Sequence, residues 1–232
     1  MSELPPIGII ITTYERTDLA IRTIEGIKKY LTYSKPLFFH IADDGSSPGH
    51  IQRLLKAIGP DYEVTVTNAE RKGVGYSMNI ALKQVWEKTS LVLILEDDWL
   101  LTAPLNLDKH ALALTLHSDE YGIVRHGYLS TGIKAHLVGL DGHCWWELEK
   151  GSHQYWISGQ VSLRNLAWYQ SYGYHVEGVS PGQQEISYCL QCELVQNGPK
   201  ILWPPEFGDY GPWKHIGGIG AESLNSVVPK RD

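Results

Sequence analysis

The sequence feature that most constrains the fold is an uninterrupted apolar run, residues 91–95, which leads directly into three acids. Five aliphatic residues in a row are typical of a strand covered on both faces, as in the centre of a parallel sheet. Because strand side chains alternate, extended backbone would place Glu96 and Asp98 on one side and Asp97 on the other. Two carboxylates about 4 Å apart repel by roughly 4 kcal/mol at an effective dielectric near 20. The run therefore predicts a site for a divalent cation, with a solvated acidic turn as the alternative.

The first hundred residues repeat a strand-then-helix pattern that predicts a mostly parallel sheet flanked by helices. Strands are expected at residues 7–12, 37–42, 64–67 and 91–95, with helices between them. In open parallel sheets, ligands bind beyond the carboxyl ends of the strands. We therefore expect four loops to converge on one edge of the sheet: residues 12–16, 43–46, 71–75 and 96–98.

Beyond residue 101 the regular alternation fades, and a smaller region of mixed structure is expected. Asp141 and Gly142 form a tight-turn signal between extended segments, which predicts a hairpin over residues 137–146. Ser180 followed by Pro181 is typical of a helix start. The other expected elements are a helix at 108–116, a strand at 123–126, helices at 164–171 and 183–196, and an irregular loop at 204–220.

Length and composition bound the kind of protein. With 232 residues, 43% of them hydrophobic, the chain can bury one substantial core and is short for two full domains. A formal net charge of −6 gives no long-range attraction to nucleic acid or to anionic membranes. There is no apolar run long enough to span a bilayer and no signal-peptide layout, so a cytoplasmic protein is expected. Three cysteines suggest no disulfide framework, and Cys189 and Cys192 are interpreted as core residues.

Four motifs, in this order, resemble the nucleotide-sugar half of a family 2-like glycosyltransferase with the GT-A fold. They are Thr12-Thr13-Tyr14-Glu15-Arg16, Asp43-Asp44-Gly45-Ser46, Arg71-Lys72-Gly73-Val74-Gly75 with Asn79, and Leu95-Glu96-Asp97-Asp98, an EDD variant of the DXD motif. Glu15 stands where the family usually has Asn. Gly159, Glu185 and residues 213–217 look like later landmarks. The resemblance implies one GT-A domain over 1–232, with a nucleotide-sugar half at 1–100 and an acceptor half at 101–232.

The resemblance also implies roles for individual residues at the donor site. Tyr14 would stack on the base, and Asp43 and Asp44 would accept hydrogen bonds from the base or the ribose, although the segment 43–46 alone also reads as a simple turn. Arg71 and Lys72 would bind the pyrophosphate, with a solvated basic pair as the alternative. The other residues that the resemblance assigns to the nucleotide-sugar site are Thr12, Thr13, Arg16, Gly75, Glu96 and Asp97.

The family's DXD motif binds a metal ion, and the resemblance places that function on Asp98. Glu96 or Asp97 would assist through water, and the ion would be Mn²⁺ or Mg²⁺, which prefer oxygen ligands. His215 looks like a distal ligand of the metal or the phosphate. The alternative for His215 is a surface residue in a glycine-rich loop.

An inverting transferase needs one base to take the proton from the acceptor hydroxyl. Glu185 is the candidate by its position in the family order. As an acid in the first turn of the expected helix, it would be kept ionised by the helix dipole. A residue that serves only the helix is the alternative, and Asp141, Glu177 and Asp209 are further candidates.

The resemblance thus implies a metal-dependent inverting glycosyltransferase of the hexosyltransferase type, with a nucleoside diphosphate sugar, favouring UDP, as donor. A nucleotidyltransferase is an alternative, but residues 13–16 lack its glycine-rich loop. A non-catalytic sugar-binding module is another, but it would leave the three acids unexplained. The acceptor hydroxyl is left open among a glycan, a small molecule, a protein and a modified DNA base, and the acidic balance disfavours DNA. The oligomeric state is also left open.

Overall fold

The computed structural model describes residues 3–129, 132–157, 160–208 and 211–217. The first hundred residues alternate strands and helices, as predicted. Their elements are β1 (Ile7–Thr13), α1 (Thr17–Tyr30), β2 (Leu31–Thr32), β3 (Leu37–Asp43), α2 (Pro48–Ile58), β4 (Val64–Asn68), α3 (Val74–Val85) and β5 (Leu91–Glu96).

The later residues form shorter and more varied elements. They are β6 (Trp99–Leu101), β7 (Leu105–Asn106), α4 (Asp108–Leu116), β8 (Tyr121–Arg125), β9 (Ala135–Leu140), β10 (His143–Leu148), β11 (Ser162–Asn165), α5 (Leu166–Tyr172), α6 (Pro181–Glu193), β12 (Lys200–Trp203), a 3₁₀ turn (Pro205–Phe207) and β13 (Trp213–His215). Among the described residues, none of the helices combines the length and the hydrophobicity that a membrane crossing requires.

Nine of these strands form one sheet in the order β4-β3-β1-β5-β11-β8-β12-β10-β9. The four strands β4, β3, β1 and β5 are all parallel to one another. The following strands are mixed, because β11 is antiparallel to both β5 and β8. The carboxyl ends of β5 and β8 therefore lie at the same edge of the sheet. The predicted fold class, an α/β fold with a mostly parallel sheet flanked by helices and a smaller mixed region, is confirmed.

The apolar run of β5 lies inside the sheet and is covered on both faces. Leu93 and Leu95 pack into a cluster on one face with helices α1 and α2, whereas Val92 and Ile94 pack on the other face against α3 and α5. All five residues of the run are at most 2% exposed. This burial on two faces is why the run has no polar interruption.

Two predictions about the later elements need correction. Arg164 and Asn165 were expected in a helix, but they end strand β11, where pairing with β5 and β8 overrides their local preference. The Asn165 side chain then caps α5 by accepting from the Trp168 N–H at 3.0 Å. The tail expected to be irregular contains β13, which pairs with β6 and so buries Trp213. The predicted hairpin is confirmed, with positive φ angles at Asp141 and Gly142.

Candidate active site

A cavity of about 610 Å³ opens at the carboxyl edge of the parallel strands. It lies where β1, β3 and β5 end, and the amino end of α3 forms one of its walls. Its lining residues are Thr12, Thr13, Tyr14, Arg16, Ala42, Asp44, Gly73, Val74, Ser77, Glu96 and Val179. All four loops that the sequence predicted to converge therefore contribute residues to the lining of this cavity.

Glu96 ends β5, and Asp97 and Asp98 follow it in a turn. Ligand atoms of Glu96, Asp98 and His215 all lie within 4.8 Å of one another, and this is the one such group found among the described residues. Asp97 is not part of this group, and its Oδ2 accepts a hydrogen bond of 2.6 Å from the Thr13 hydroxyl. Asp97 and Asp98 lie in a turn, so Glu96 and Asp98 come together as expected, but through this turn and not through the alternation of extended backbone.

Strand β13 brings His215 to the acids. His215 is paired with Trp99 in the β6–β13 ribbon, and the Ile216 N–H donates to the Asp98 carbonyl at 2.8 Å. His215 Nε2 lies 3.3 Å from Asp98 Oδ2. A Cβ on Gly217 would lie 2.1 Å from Asp98 Oδ2, so only glycine allows this loop to close over the carboxylate.

The pKa values at this edge reflect crowded negative charge. Burial, followed by the charges of Asp98 and Glu185, raises the pKa of Glu96 to about 7. Burial raises the pKa of Asp97 to about 6, although the hydrogen bond from Thr13 opposes it. Burial also acts to raise the pKa of Asp98, but hydrogen bonds from His215 and Arg16 outweigh it, so the pKa of Asp98 is lowered. An added cation would relieve the repulsion among these groups.

Arg16 supplies positive charge to two of the acids. Its Nη1 donates to Asp98 Oδ2 at 2.6 Å, and its Nη2 contacts Asp97 Oδ1. The Arg16 side chain is 44% exposed, whereas the two carboxylates are almost fully buried. Arg16 was expected at the nucleotide-sugar site, and it lines the cavity while holding the acids from the solvent side.

The residues present fit a divalent metal ion. Asp98 Oδ1 and His215 Nδ1 are buried and have no hydrogen-bond partner among the described residues. The donor set of two carboxylates and one imidazole suits Mn²⁺, which takes oxygen ligands readily and accepts nitrogen. Glu96, Asp98 and His215 are therefore the residues that would hold such an ion.

The two aspartates at the end of β3 have different surroundings. Asp43 is buried, and its carboxylate accepts from the N–H groups of Gly45 and Ser46, so it shapes the turn. Asp44 lines the cavity, where its Oδ1 accepts from the Gly73 N–H at 2.9 Å and from the Ser77 hydroxyl at 3.2 Å. Asp44 Oδ2 has no hydrogen-bond partner among the described residues, and of the two aspartates only Asp44 lines the cavity.

The basic pair after β4 lies beside the cavity. The Arg71 guanidinium stacks 4.5 Å from the centre of the Tyr14 ring, and Lys72 Nζ lies 4.8 Å from the centre of the Tyr76 ring. Neither Arg71 nor Lys72 is among the cavity's lining residues. In this arrangement Arg71 supports the ring that the sequence assigned to base stacking.

A segment that sequence reasoning missed closes one wall of the cavity. Val179 lines the cavity, and a Cβ on Gly75 would lie 2.3 Å from the Val176 carbonyl oxygen. Asn79 Nδ2 donates to the His175 carbonyl and to Glu177 Oε1, which ties the segment to α3. Gly75 thus lets residues 175–179, which form this wall, pack closely against α3. The available signal was the spacing of Gly75 and Asn79, four residues apart on one helix face.

Glu185 lies one turn inside α6, which is a correction to its expected first-turn position. The helix begins at Pro181 and has no acid in its first turn, so the helix dipole acts only weakly on Glu185. Its charge nevertheless acts on the acidic edge, the sheet edge that carries Glu96, Asp97 and Asp98, because it contributes to raising the pKa values of Glu96 and Tyr128.

The further base candidates lie elsewhere or are engaged. Asp141 is at the β9–β10 turn, 3.0 Å from His117 Nε2, and Glu177 is tied to Asn79. Asp209 and the landmark Gly159 lie outside the described residues.

Aromatic rings flank the acidic edge on the β8 side. Tyr128 stacks on Trp99 with ring centres 5.9 Å apart, and Trp99 contacts the His215 ring at 5.1 Å. Burial first, with smaller contributions from Glu185 and Glu96, raises the pKa of Tyr128. This platform was not predicted, because nothing in the local sequence joins residues so far apart along the chain.

Comparison with known proteins gives similarity at the level of structure. No protein-family model matches the chain, and no curated protein sequence matches it. Among solved structures, the mannosyltransferase PcManGT from Pyrobaculum calidifontis, in complex with GDP-Man and Mn²⁺, is similar with a TM-score of 0.60 and 15% identity over 96% of this chain and 60% of that chain.

Two further solved structures are similar to a comparable degree. S. aureus TarS 1–349, in complex with UDP-GlcNAc, has a TM-score of 0.61 and 16% identity over 85% of this chain and 57% of that chain. GalNAc-T7, with UDP, GalNAc and Mn²⁺, has a TM-score of 0.61 and 14% identity over 88% of this chain and 43% of that chain. The fold is of the GT-A type. The chain spans less than two thirds of the length of each of these three proteins, and the likeness shows a shared fold.

Proposed function

We propose that this chain is a metal-dependent, inverting glycosyltransferase of the hexosyltransferase type that uses a nucleoside diphosphate sugar as donor. The observation that carries the proposal is the group formed by Glu96, Asp98 and His215 at the end of the central strand. Glu96 also lines the 610 Å³ cavity, so the group borders a space large enough for a nucleotide. A fold shared with three glycosyltransferases supports the same conclusion.

The metal ion would be held by Glu96, Asp98 and His215. When bound, Mn²⁺ or Mg²⁺ would supply charge neutralisation for the departing nucleoside diphosphate. The chain's own contribution is to exclude water around the buried carboxylates and to hold them in place, through Arg16 on one side and the Ile216 N–H on the other. PcManGT and GalNAc-T7 were both solved with Mn²⁺, which favours manganese for this chain.

The nucleoside would lie against Tyr14 and Asp44. The Tyr14 ring, supported from behind by Arg71, offers a face for the base, and Asp44 Oδ2 can accept from a ribose or base N–H or O–H group. We favour a UDP-linked donor on the resemblance to family 2-like enzymes. Since the fold serves GDP-Man in PcManGT and UDP-GlcNAc in TarS, the donor test includes both bases.

Glu185 would act as the general base. It would accept the proton of the acceptor hydroxyl as that oxygen attacks the anomeric carbon, and its charge already acts on Glu96 across the edge. The half-buried Tyr128 ring, which packs on the buried Trp99, offers an aromatic contact for an acceptor sugar or other ring.

The direct test is a donor screen with the full chain. UDP- and GDP-linked hexoses are incubated with the protein and Mn²⁺, released nucleoside diphosphate is measured, and the anomeric configuration of the product is read by NMR. We expect release from at least one donor with an inverted anomer. Glu185→Gln should lower the rate by about 10²–10⁴-fold, whereas Glu193→Gln, on an exposed position of the same helix, should not. No release from any donor would contradict the proposal, and a retained anomer would contradict its inverting part.

A further inference from the structure

A chain of three hydrogen bonds runs behind the acidic edge, away from the cavity. The Thr17 hydroxyl lies 2.7 Å from His50 Nδ1, His50 Nε2 lies 3.0 Å from the Thr13 hydroxyl, and Thr13 lies 2.6 Å from Asp97 Oδ2. His50 is only 2% exposed and is not among the cavity's lining residues. These three hydrogen bonds join four elements at the sheet edge: α1, α2, the end of β1 and the end of β5.

The direction of each hydrogen bond follows from the acid. An ionised carboxylate only accepts, so Thr13 must donate its single proton to Asp97. Thr13 can then only accept from His50, which requires the proton on Nε2. Burial lowers the pKa of His50, so the ring is neutral, and its Nδ1 accepts from Thr17. All three protons therefore point towards Asp97.

The Nε2–H tautomer of His50 matters because the Nδ1–H tautomer would break this row of hydrogen bonds. With the proton on Nδ1, His50 Nε2 would become an acceptor and would compete with Asp97 for the Thr13 proton. Asp97 Oδ2 would then lose its donor. Asp97 is the chain neighbour of Asp98, and its Oδ1 shares the Arg16 guanidinium with Asp98 Oδ2, so a shift of Asp97 would move Asp98 and leave Arg16 free to compete more strongly for it.

We propose that His50 is a positioning residue for the cation site, which it serves by fixing the Thr13 hydroxyl and through it the Asp97 carboxylate. The inference rests on the proposed function in one respect, namely that Asp98 holds a metal ion. Loss of a residue that orients a metal-binding group, without touching the metal itself, lowers metal affinity by about 10–100-fold. Because His50 acts through Thr13 and Asp97, we expect the loss of metal affinity to lie at the lower end of that range.

The closing experiment measures the affinity for Mn²⁺ alone by calorimetry, in the full chain. His50→Leu should bind Mn²⁺ about tenfold more weakly. His50→Gln keeps an N–H donor for Thr13 and should stay within about threefold of wild type, a rescue that loss of packing alone would not give. His40→Leu is the matched control, since His40 is also buried between two threonine hydroxyls, Thr65 and Thr67, but makes no contact with the acids.

A second measurement does not depend on metal binding. The ¹⁵N shifts of the imidazole nitrogens in the metal-free chain, assigned by comparison with His50→Gln, should show the neutral Nε2–H tautomer. An Nδ1–H tautomer, or wild-type Mn²⁺ affinity in His50→Leu, or an equal loss in His40→Leu, would overturn the inference. A wild-type chain that binds no Mn²⁺ would instead contradict the proposed function and, with it, the cation role of His50, even if the Nε2–H tautomer is found.

Discussion

Among single residues, Asp98 has the surroundings that most favour a bound cation. This carboxylate is 2% exposed, accepts from Arg16, lies 3.3 Å from His215, and has one buried oxygen with no partner among the described residues. Such an oxygen is costly to bury unless a ligand uses it. The burial of this unpartnered oxygen therefore supports Asp98 as a residue that binds a cation.

We expect Asp98→Asn to weaken Mn²⁺ binding by at least about 100-fold, because the amide removes the negative charge while it keeps the size of the side chain. The thermal unfolding temperature should change little, since Arg16 keeps its contact with Asp97. Calorimetry and a thermal melt measure the two quantities. Asp119→Asn, at an exposed position, is the control, and unchanged Mn²⁺ affinity in Asp98→Asn would remove the metal assignment.

Arg16 competes with any metal ion for the same carboxylate. Its Nη1 donates to Asp98 Oδ2, so Arg16→Gln should strengthen binding of Mn²⁺ in the absence of nucleotide, by roughly threefold or more once solvent screening of this half-exposed side chain is allowed for. Arg22→Gln, on an exposed position of α1, should have no effect. Weaker Mn²⁺ binding in Arg16→Gln would show that the guanidinium supports the cation instead of competing with it.

Individual residues also show how far sequence reasoning reached. The spacing of the acids predicted that Glu96 and Asp98 lie together, which they do, although a turn at residues 97–98 and not extended backbone brings them there. Sequence alone did not distinguish Asp43 from Asp44, because which of them turns inward depends on the N–H groups of the following turn. The link from His50 to Asp97 joins residues from four elements, and no local pattern marks it.

At the scale of elements, the wall formed by residues 175–179 depends on close packing against α3. Gly75→Ala would place a methyl group 2.3 Å from the Val176 carbonyl oxygen and push this segment away from the cavity. We expect UDP affinity to fall about tenfold and the free energy of unfolding to fall by about 1–3 kcal/mol.

The control for Gly75→Ala is Gly49→Ala in α2, where a Cβ would have nothing within 4 Å. That change should leave UDP affinity unchanged and should raise stability by about 0.5–1 kcal/mol, because alanine favours a helix. Calorimetry with UDP and urea unfolding measure both variants. Equal behaviour of the two variants would mean that the wall does not contribute to the donor site.

The elements that sequence predicted well are those with strong local signals. The strands and helices of the first hundred residues have clear periodicity, and the β9–β10 hairpin has a turn with positive φ at Asp141 and Gly142. Strands β11 and β13 were missed because each is only three or four residues long and is held by its partners. Such short strands depend on pairing that a local pattern does not contain.

At the scale of the whole molecule, stability should depend on pH through buried histidines. His40 is fully buried in β3, and burial, with a smaller effect of Lys88, lowers the pKa of His40 to about 4 from 6.5. Well above pH 6.5 the ring is neutral in both the folded and the unfolded chain. As the pH falls below 6.5, the unfolded chain binds the proton first, so the folded state is progressively disfavoured until about pH 4.

We therefore expect the free energy of unfolding to decrease between pH 6.5 and 4, with His40 accounting for about 3 kcal/mol of the loss. Urea unfolding at a series of pH values measures it. His40→Gln cannot titrate, so its stability should approach that of wild type as the pH falls through this window. Parallel curves for the two proteins would show that His40 does not contribute.

For the whole site, we propose that Glu96, Asp98 and His215 hold a cation that binds the diphosphate of the donor. This proposal is tested most directly by calorimetric titration of the full chain with UDP, with and without Mn²⁺. We predict that Mn²⁺ tightens UDP binding at least about tenfold in wild type and not in Asp98→Asn. Equal UDP affinity with and without Mn²⁺ in the wild-type chain would contradict the account.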